Sequence, residues 1–230
     1  MLSIALKEFT SLFKSIKSFF IIVVIIGISL GLAKIIDIFG GQINSAVGSS
    51  ETPFSAGLLL AVLLTGPLFT FTLSHNIINE EVKTRTIRFL ATKTARNNIL
   101  LGKFIGALLF WGICLLIATI LIIWYSHQFY FLEFLQCLTF ISYYLALAML
   151  LSVFIDNTVS TNFLGIIISL VMTVLGIWSL NSDHVLLIIF KYITPYFYFF
   201  KDSMILPFVI IIFTFLFLVI SLYKFNKRDL

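Results

Sequence analysis

Apolar residues run along most of this chain in long, nearly unbroken stretches. Six runs, at 19–36, 54–78, 104–125, 135–155, 162–180 and 204–223, are built largely from Leu, Ile, Phe and Val and carry very little charge. A helix needs about 20 such residues to cross the hydrocarbon of a bilayer. Each of these residue types inserts with about −0.3 to −0.6 kcal/mol near the bilayer centre. The pattern predicts an all-α integral membrane protein forming a single domain over 1–230, with six transmembrane helices.

The period changes ahead of the first run. Leu2, Leu6, Phe9, Phe13, Ile16 and Phe20 recur at steps of four and three, and Ala5, Leu12 and Phe19 widen that face. Lys7, Glu8, Ser11, Lys14, Ser15 and Ser18 take the remaining positions. This predicts an amphipathic interfacial helix over 1–18, its lysines toward anionic lipid headgroups. Two roles stand for it, a plain anchor or a lever that slides with the bundle. Gly31-Leu32-Ala33 has small residues at a spacing like that of a signal-peptide cleavage site. The first run is longer than the roughly 7–15 residues of a signal's apolar core, however, so it reads as a retained span.

The segment 184–200, "HVLLIIFKYITPYFYFF", is apolar but interrupted by Lys191 and Pro195. It reads as a re-entrant or interfacial pair of short helices on the outer side, before the sixth span. Irregular backbone at that depth requires protein or a wet cavity around it. Tyr192, Tyr196 and Tyr198 suit the membrane–water interface, as do Trp124, Tyr125 and Trp178.

Composition sharpens this picture. The chain is 60% hydrophobic and 11% charged, with mean hydropathy +1.13. A soluble domain carries about 25% charged residues, so there is too little polar material here to cover a globule in water. The net charge of +5 does not indicate nucleic acid, because its placement matters more. With both termini inside the cell, twelve of the fifteen Lys and Arg residues fall on the cytoplasmic side, leaving Lys34, Lys191 and Lys201 outside. Cys114 and Cys137 fit no zinc or redox spacing and read as small apolar packing residues. The three histidines are scattered.

The one strongly charged stretch lies between the second and third runs, over 79–103, and holds six of the fifteen basic residues. Glu80 and Glu81 come first and the cations follow, which suits a helix start and its later turns. Ile87, Phe89, Leu90, Ile99 and Leu100 are costly to leave in water, at about 1.5–3 kcal/mol each. A short helix presenting Ile87 and Leu90 on one face would fit a protein groove. The same cations also hold the loop inside the cell.

Glu80-Glu81, Thr86-Ile87-Arg88-Phe89-Leu90, Thr92, Arg96 and "ILLGK" at 99–103 resemble the cytoplasmic signature of type-2 ABC transporter permeases. Lys93 departs from the pattern, standing where the family often has proline. The resemblance implies that 79–103 contains a coupling helix that docks on a separate ATP-binding subunit. Ile87, Phe89 and Leu90 would be apolar anchors beside Thr86, with Glu81, Arg85 and Arg88 as rim charges. Asp156 and Asn157, between spans four and five, would make a second contact. The family also implies two permease subunits, identical or different, and two ATPase subunits that carry ATP and Mg.

The residues contain no phosphate-binding loop of their own. Phe104 follows Gly102-Lys103, and Asn97 stands where the first glycine would be. Without paired carboxylates or a Ser/His/Asp grouping, the chain reads as non-enzymatic and without a cofactor or metal of its own.

Thr65, Thr72, Asn76 and Asn79 share one face of the second span, with His75 beside it. They read equally as the lining of a substrate path or as interhelical hydrogen-bonding groups. Gly66-Pro67 predicts a kink in that span. Gly27–Gly31 and Gly102–Gly106 are GxxxG pairs, read as close helix packing within one subunit.

The expected function is that of a multi-pass permease in the cell membrane, exporting a hydrophobic or amphipathic peptide, lipid-like compound or drug. Peptide export and bacteriocin immunity fall within that range. A membrane scaffold that recruits a cytosolic protein and an ion-coupled carrier are the alternatives. The carrier is disfavoured because no span holds a clear buried acid.

Overall fold

The computed structural model describes residues 1–47, 53–75, 77–84, 86, 92, 94–155, 157–182, 184–201 and 203–227. Among them are helices and turns and no strand. In chain order the helices are α1 (Leu2–Lys14), α2 (Ile16–Val47), α3 (Pro53–Ser74), α4 (Asn79–Lys83), α5 (Arg96–Ser126), α6 (Phe131–Phe154), α7 (Thr158–Trp178), α8 (Val185–Ile193), α9 (Tyr196–Phe199) and α10 (Ile210–Asn226). One 3-10 turn follows α7 at Ser179–Asn181, and another leads into α10 at Leu206–Val209.

Five stretches are long and apolar enough to cross a membrane: Ala56–Lys83, Arg96–Trp124, Phe131–Phe154, Thr158–Asn181 and Leu206–Asn226. The bent pair formed by α1 and the first half of α2 would make a sixth, with 74° between its two arms. Ser15 causes the break. Its backbone is extended (φ −76°, ψ 126°), and its carbonyl accepts from the amides of Ser18 and Phe19 in the first turn of α2. The third span starts eight residues before its expected beginning at 104. At about 1.5 Å per residue the 31 residues of α5 reach about 46 Å, longer than the roughly 30 Å of hydrocarbon. Its first two turns therefore belong to the stretch that the sequence reads as loop. Ile99 and Leu100, expected to await a partner, are 0% exposed inside the chain's own core.

The core is centred on α6, which packs against α3, α5 and α10. Phe140, Tyr143, Tyr144, Leu145, Ala146, Ala148 and Met149 are fully buried along it. By contrast α7 leaves Phe163, Val174 and Trp178 exposed, and α10 leaves Ile212 and Phe215 exposed. Exposed apolar surface on this scale is unfavourable in water and suits lipid.

Helix α1 has three sides. Ile4, Ala5 and Leu12 are buried, Leu2, Leu6 and Phe13 are exposed apolar residues, and Lys7, Thr10 and Lys14 make an exposed polar strip. The buried side crosses α5 at Gly102 and Gly106. A Cβ on Gly106 would stand 2.5 Å from the Ala5 carbonyl oxygen and 2.8 Å from Glu8 Cβ. Only glycine admits a backbone at that distance. The GxxxG pair at 102–106 thus packs within the chain, as the sequence predicts. The pair at 27–31 does not, since a Cβ at either glycine would have nothing within 4 Å.

Replacing Gly106 by Ala is expected to displace α1 at a cost of about 1–3 kcal/mol, the usual range for overpacking. Limited proteolysis and hydrogen exchange of residues 2–14 should both rise. Gly27→Ala and Gly31→Ala should leave them unchanged.

Candidate functional site

The charged cassette leaves the helical bundle through α4 and rejoins it at α5. Of its predicted coupling residues, Arg85, Ile87, Arg88, Phe89 and Leu90 lie outside the described residues, as do Asn76 and Asp156. Glu81 and Thr86 are described. The described residues show how the two roots of the cassette are held.

At the first root α3 gives way to a turn and then to α4. The first amides of a helix have no intrahelical acceptor. Here the amides of Ile78 and Asn79 both donate to Ser152 Oγ, at 3.1 and 3.3 Å. Ser152 belongs to the last turns of α6. The Asn79 side chain donates through Nδ2 to Thr161 Oγ1 at 2.6 Å, in the first turn of α7. Asn157 caps that same helix, its Oδ1 accepting from the Val159 amide at 3.0 Å. Its side chain, expected to make a second partner contact, thus has a structural task within the chain. Glu80 and Glu81 in the first turn of α4 and Lys83 in its last complement the helix dipole. The Thr86 hydroxyl folds back toward α4, 3.0 Å from Thr84 Oγ1 and 3.4 Å from the Glu81 carbonyl.

Lys103 ties this root to two more helices. Its ammonium is 3.0 Å from Glu8 Oε2 of α1 and 3.1 Å from Glu81 Oε1 of α4, and it donates to the Ile77 carbonyl at 2.8 Å. Only 4% of its side chain is exposed, against 16% for each glutamate. Lys103 is therefore no free loop cation, and Glu8 and one oxygen of Glu81 are already engaged within the chain. The other, Oε2, is buried without a hydrogen-bond partner, as is Asn79 Oδ1. The root therefore retains buried acceptor capacity.

The second root is tied to the end of the chain's last helix. Arg96 Nη1 donates to the Asn226 carbonyl at 3.0 Å, and Asn226 Nδ2 donates to Asn97 Oδ1 at 2.7 Å. An arginine at a helix C-terminus satisfies a carbonyl that has no intrahelical donor. Side chains or backbone groups of α1, α4, α5, α6, α7 and α10 thus all meet the cassette within a few residues of where it leaves or enters the bundle.

The polar face expected on the second span is divided. Thr65 and Thr72 donate back to their own helix, at Ala61 and Leu68 carbonyls 2.7 and 2.8 Å away. His75 Nδ1 likewise lies 2.9 Å from the Thr72 carbonyl. Of the described members, Asn79 bonds to another helix. None of them lines the cleft of about 330 Å³ that opens between α5, α6 and α10. Phe104, Leu108, Leu138, Phe215 and Leu218 supply much of its wall. Its hydroxyls belong to Thr139, Ser142 and Thr214. Each of these reaches a carbonyl of its own helix, at Leu135, Thr139 and Ile210 respectively. The cleft is accordingly apolar in effect. No metal-binding group forms among the described residues.

Sequence reasoning missed Glu8, Lys103, Ser152 and Thr161. Two of them left a signal: Glu8 is the one acid in a helix of lysines, and Lys103 opens an apolar run. Nothing local marks the other two.

Lys103→Met leaves two partly buried carboxylates facing each other without their cation. It should lower stability by about 3 kcal/mol, at the lower end for breaking a buried pair because the glutamates retain some solvent. Glu8→Gln in the same chain should recover part of that loss in thermal unfolding. Ser152→Ala should cost about 1–2 kcal/mol through the two uncapped amides. In comparisons with known proteins, no family model and no curated protein matched the chain.

Proposed function

We propose that the chain is the permease subunit of a type-2 ABC exporter in the cell membrane, with both termini in the cytoplasm. Two permease subunits, identical or different, would work with two ATP-binding subunits that carry ATP and Mg. The chain itself would be non-catalytic. The cargo class is hydrophobic or amphipathic, such as a peptide, a lipid-like compound or a drug, and peptide export or bacteriocin immunity falls within it.

The observation that carries this reading is the rooting of the 80–103 cassette. A loop transmits force to a bundle only if its attachments are stiffer than the loop. Here one root is fixed by Ser152, Thr161 and the Lys103 ion cluster, and the other by Arg96 and Asn226. A push on the cassette would reach α1, α6, α7 and α10 through direct bonds. Such rigid-body switching needs energy from outside the chain, which a bound ATPase would supply. Within the cassette, Ile87, Phe89 and Leu90 would enter the partner's groove, with Arg85, Thr86 and Arg88 at its margin. Glu81 would face inward, onto Lys103. The apolar cleft between α5, α6 and α10 supports a cargo that enters from the lipid, since its walls offer little to a polar solute.

Affinity purification from the native membrane should recover an ATP-binding subunit with the wild-type chain. Leu90→Asp and Phe89→Asp should abolish that recovery while the chain still inserts. Lys103→Arg should retain the partner. Lys103→Met should keep the partner yet uncouple its ATP turnover from cargo. Recovery of a soluble partner with no ATPase activity would favour a scaffold. Uptake driven by a proton gradient in the purified chain alone would favour an ion-coupled carrier.

A further inference from the structure

Pro67 lies inside α3. A proline has no amide hydrogen, so the carbonyl four residues earlier, that of Leu63, loses its intrahelical donor. In an apolar interior such a carbonyl must find another partner, because no water reaches it. It finds one 133 residues further along the chain: the Tyr196 hydroxyl donates to the Leu63 carbonyl at 3.0 Å. Tyr196 opens α9, the second of the two short helices at the end of the bundle opposite the charged cassette. Its side chain is 0% exposed.

The surroundings are shaped to hold that ring. A Cβ on Gly176 of α7 would stand 2.2 Å from Tyr196 Cδ2, so α7 has a glycine where the ring lies. The Phe140 ring of α6 meets it edge-on, with centroids 5.8 Å apart. Thr173 Oγ1 lies 3.0 Å from the phenolic oxygen. Thr173 gives its own hydrogen to the Ser169 carbonyl at 2.8 Å, so the phenol's one hydrogen is shared between the Leu63 carbonyl and Thr173 Oγ1. One side chain from α9 thus touches α3, α6 and α7. The neighbouring carbonyls at the end of α8 are met in the same way, Ile193 by Tyr143 and Tyr192 by Tyr198, each at 3.0 Å. Those two bonds serve α8 itself. The Tyr196 bond serves a defect in another helix.

We propose that Tyr196 is the latch of a seal at this end of the bundle. Its hydroxyl replaces the backbone donor that Pro67 removes from α3, so the short helices α8 and α9 and the proline turn of α3 are held or released together. The seating of α9 and the proline turn of α3 are one variable: moving either exposes the Leu63 carbonyl to an apolar interior with no donor of its own. This inference does not rest on the transport reading and would hold for a scaffold equally.

A double-mutant cycle on the purified full chain in detergent tests it, read by hydrogen exchange of residues 185–199. Tyr196→Phe should speed that exchange about tenfold, the scale of one lost buried hydrogen bond. Pro67→Ala restores an amide to the Leu63 carbonyl, so in that background Tyr196→Phe should change exchange by less than about twofold. Equal acceleration in both backgrounds, or none in the native one, overturns the latch. Should Tyr196→Phe fail to accumulate alone, it should accumulate once Pro67→Ala is present, and failure in both backgrounds overturns the proposal as well.

Discussion

An ammonium taken out of water must recover its three hydrogen bonds from protein, and the way Lys103 does so shapes one end of this molecule. Its three donors meet a carboxylate from α1, a carboxylate from α4 and a backbone carbonyl from the turn before α4. Burial of any one of these charges alone would cost several kcal/mol. Together they stabilise one another only if all three segments sit in one arrangement. The close crossing of α1 over α5 at Gly106 follows from the same requirement, since Glu8 reaches Lys103 only when α1 lies directly on α5. The ion cluster therefore holds α1 and the first turn of α4 against α5.

The opposite end obeys the same rule with different chemistry. Hydroxyls and carbonyls do the work there. Tyr143, Tyr196 and Tyr198 each place a phenol on a backbone carbonyl that has no helical donor. A tyrosine suits this task because its ring packs as an apolar body and its tip carries a single directed donor. The interrupted segment around Pro195 is tolerated in an apolar setting because those bonds, and the protein around them, satisfy its backbone. Charge at one end and neutral hydroxyls at the other give the bundle two differently built closures around the tightly packed α6.

Between the two ends the hydroxyl groups mostly turn inward on their own helices. Thr65, Thr72, Thr139 and Thr214 all reach a carbonyl one turn back. Thr214 of α10 also meets Ser142 of α6, with the two hydroxyl oxygens 3.3 Å apart. The exposed apolar sides of α7 and α10 place those two helices at the margin of the body.

How much of this was readable beforehand depends on how far each cause lies along the chain. The apolar runs, the amphipathic first helix and the break at Pro195 are properties of neighbouring residues, so the sequence alone determined an all-helical bundle with up to six apolar helices. The charged cassette was equally plain as a pattern, and its apolar positions marked a candidate site before any fold was known. Its roots were not plain, because Lys103 and Glu8 are 95 residues apart and Asn79 and Thr161 are 82 apart. Ile99 and Leu100 looked like apolar residues of a loop only because the start of α5 depends on what packs against it. Tyr196 looked like an interfacial residue because the carbonyl it serves was created by a proline in a different helix. Two identical GxxxG pairs met different fates, one under α1 and one open. Hydrophobic burial is non-directional and can be summed along a segment. A buried polar atom needs one particular partner at one distance and angle, and only the tertiary structure decides which helix brings it.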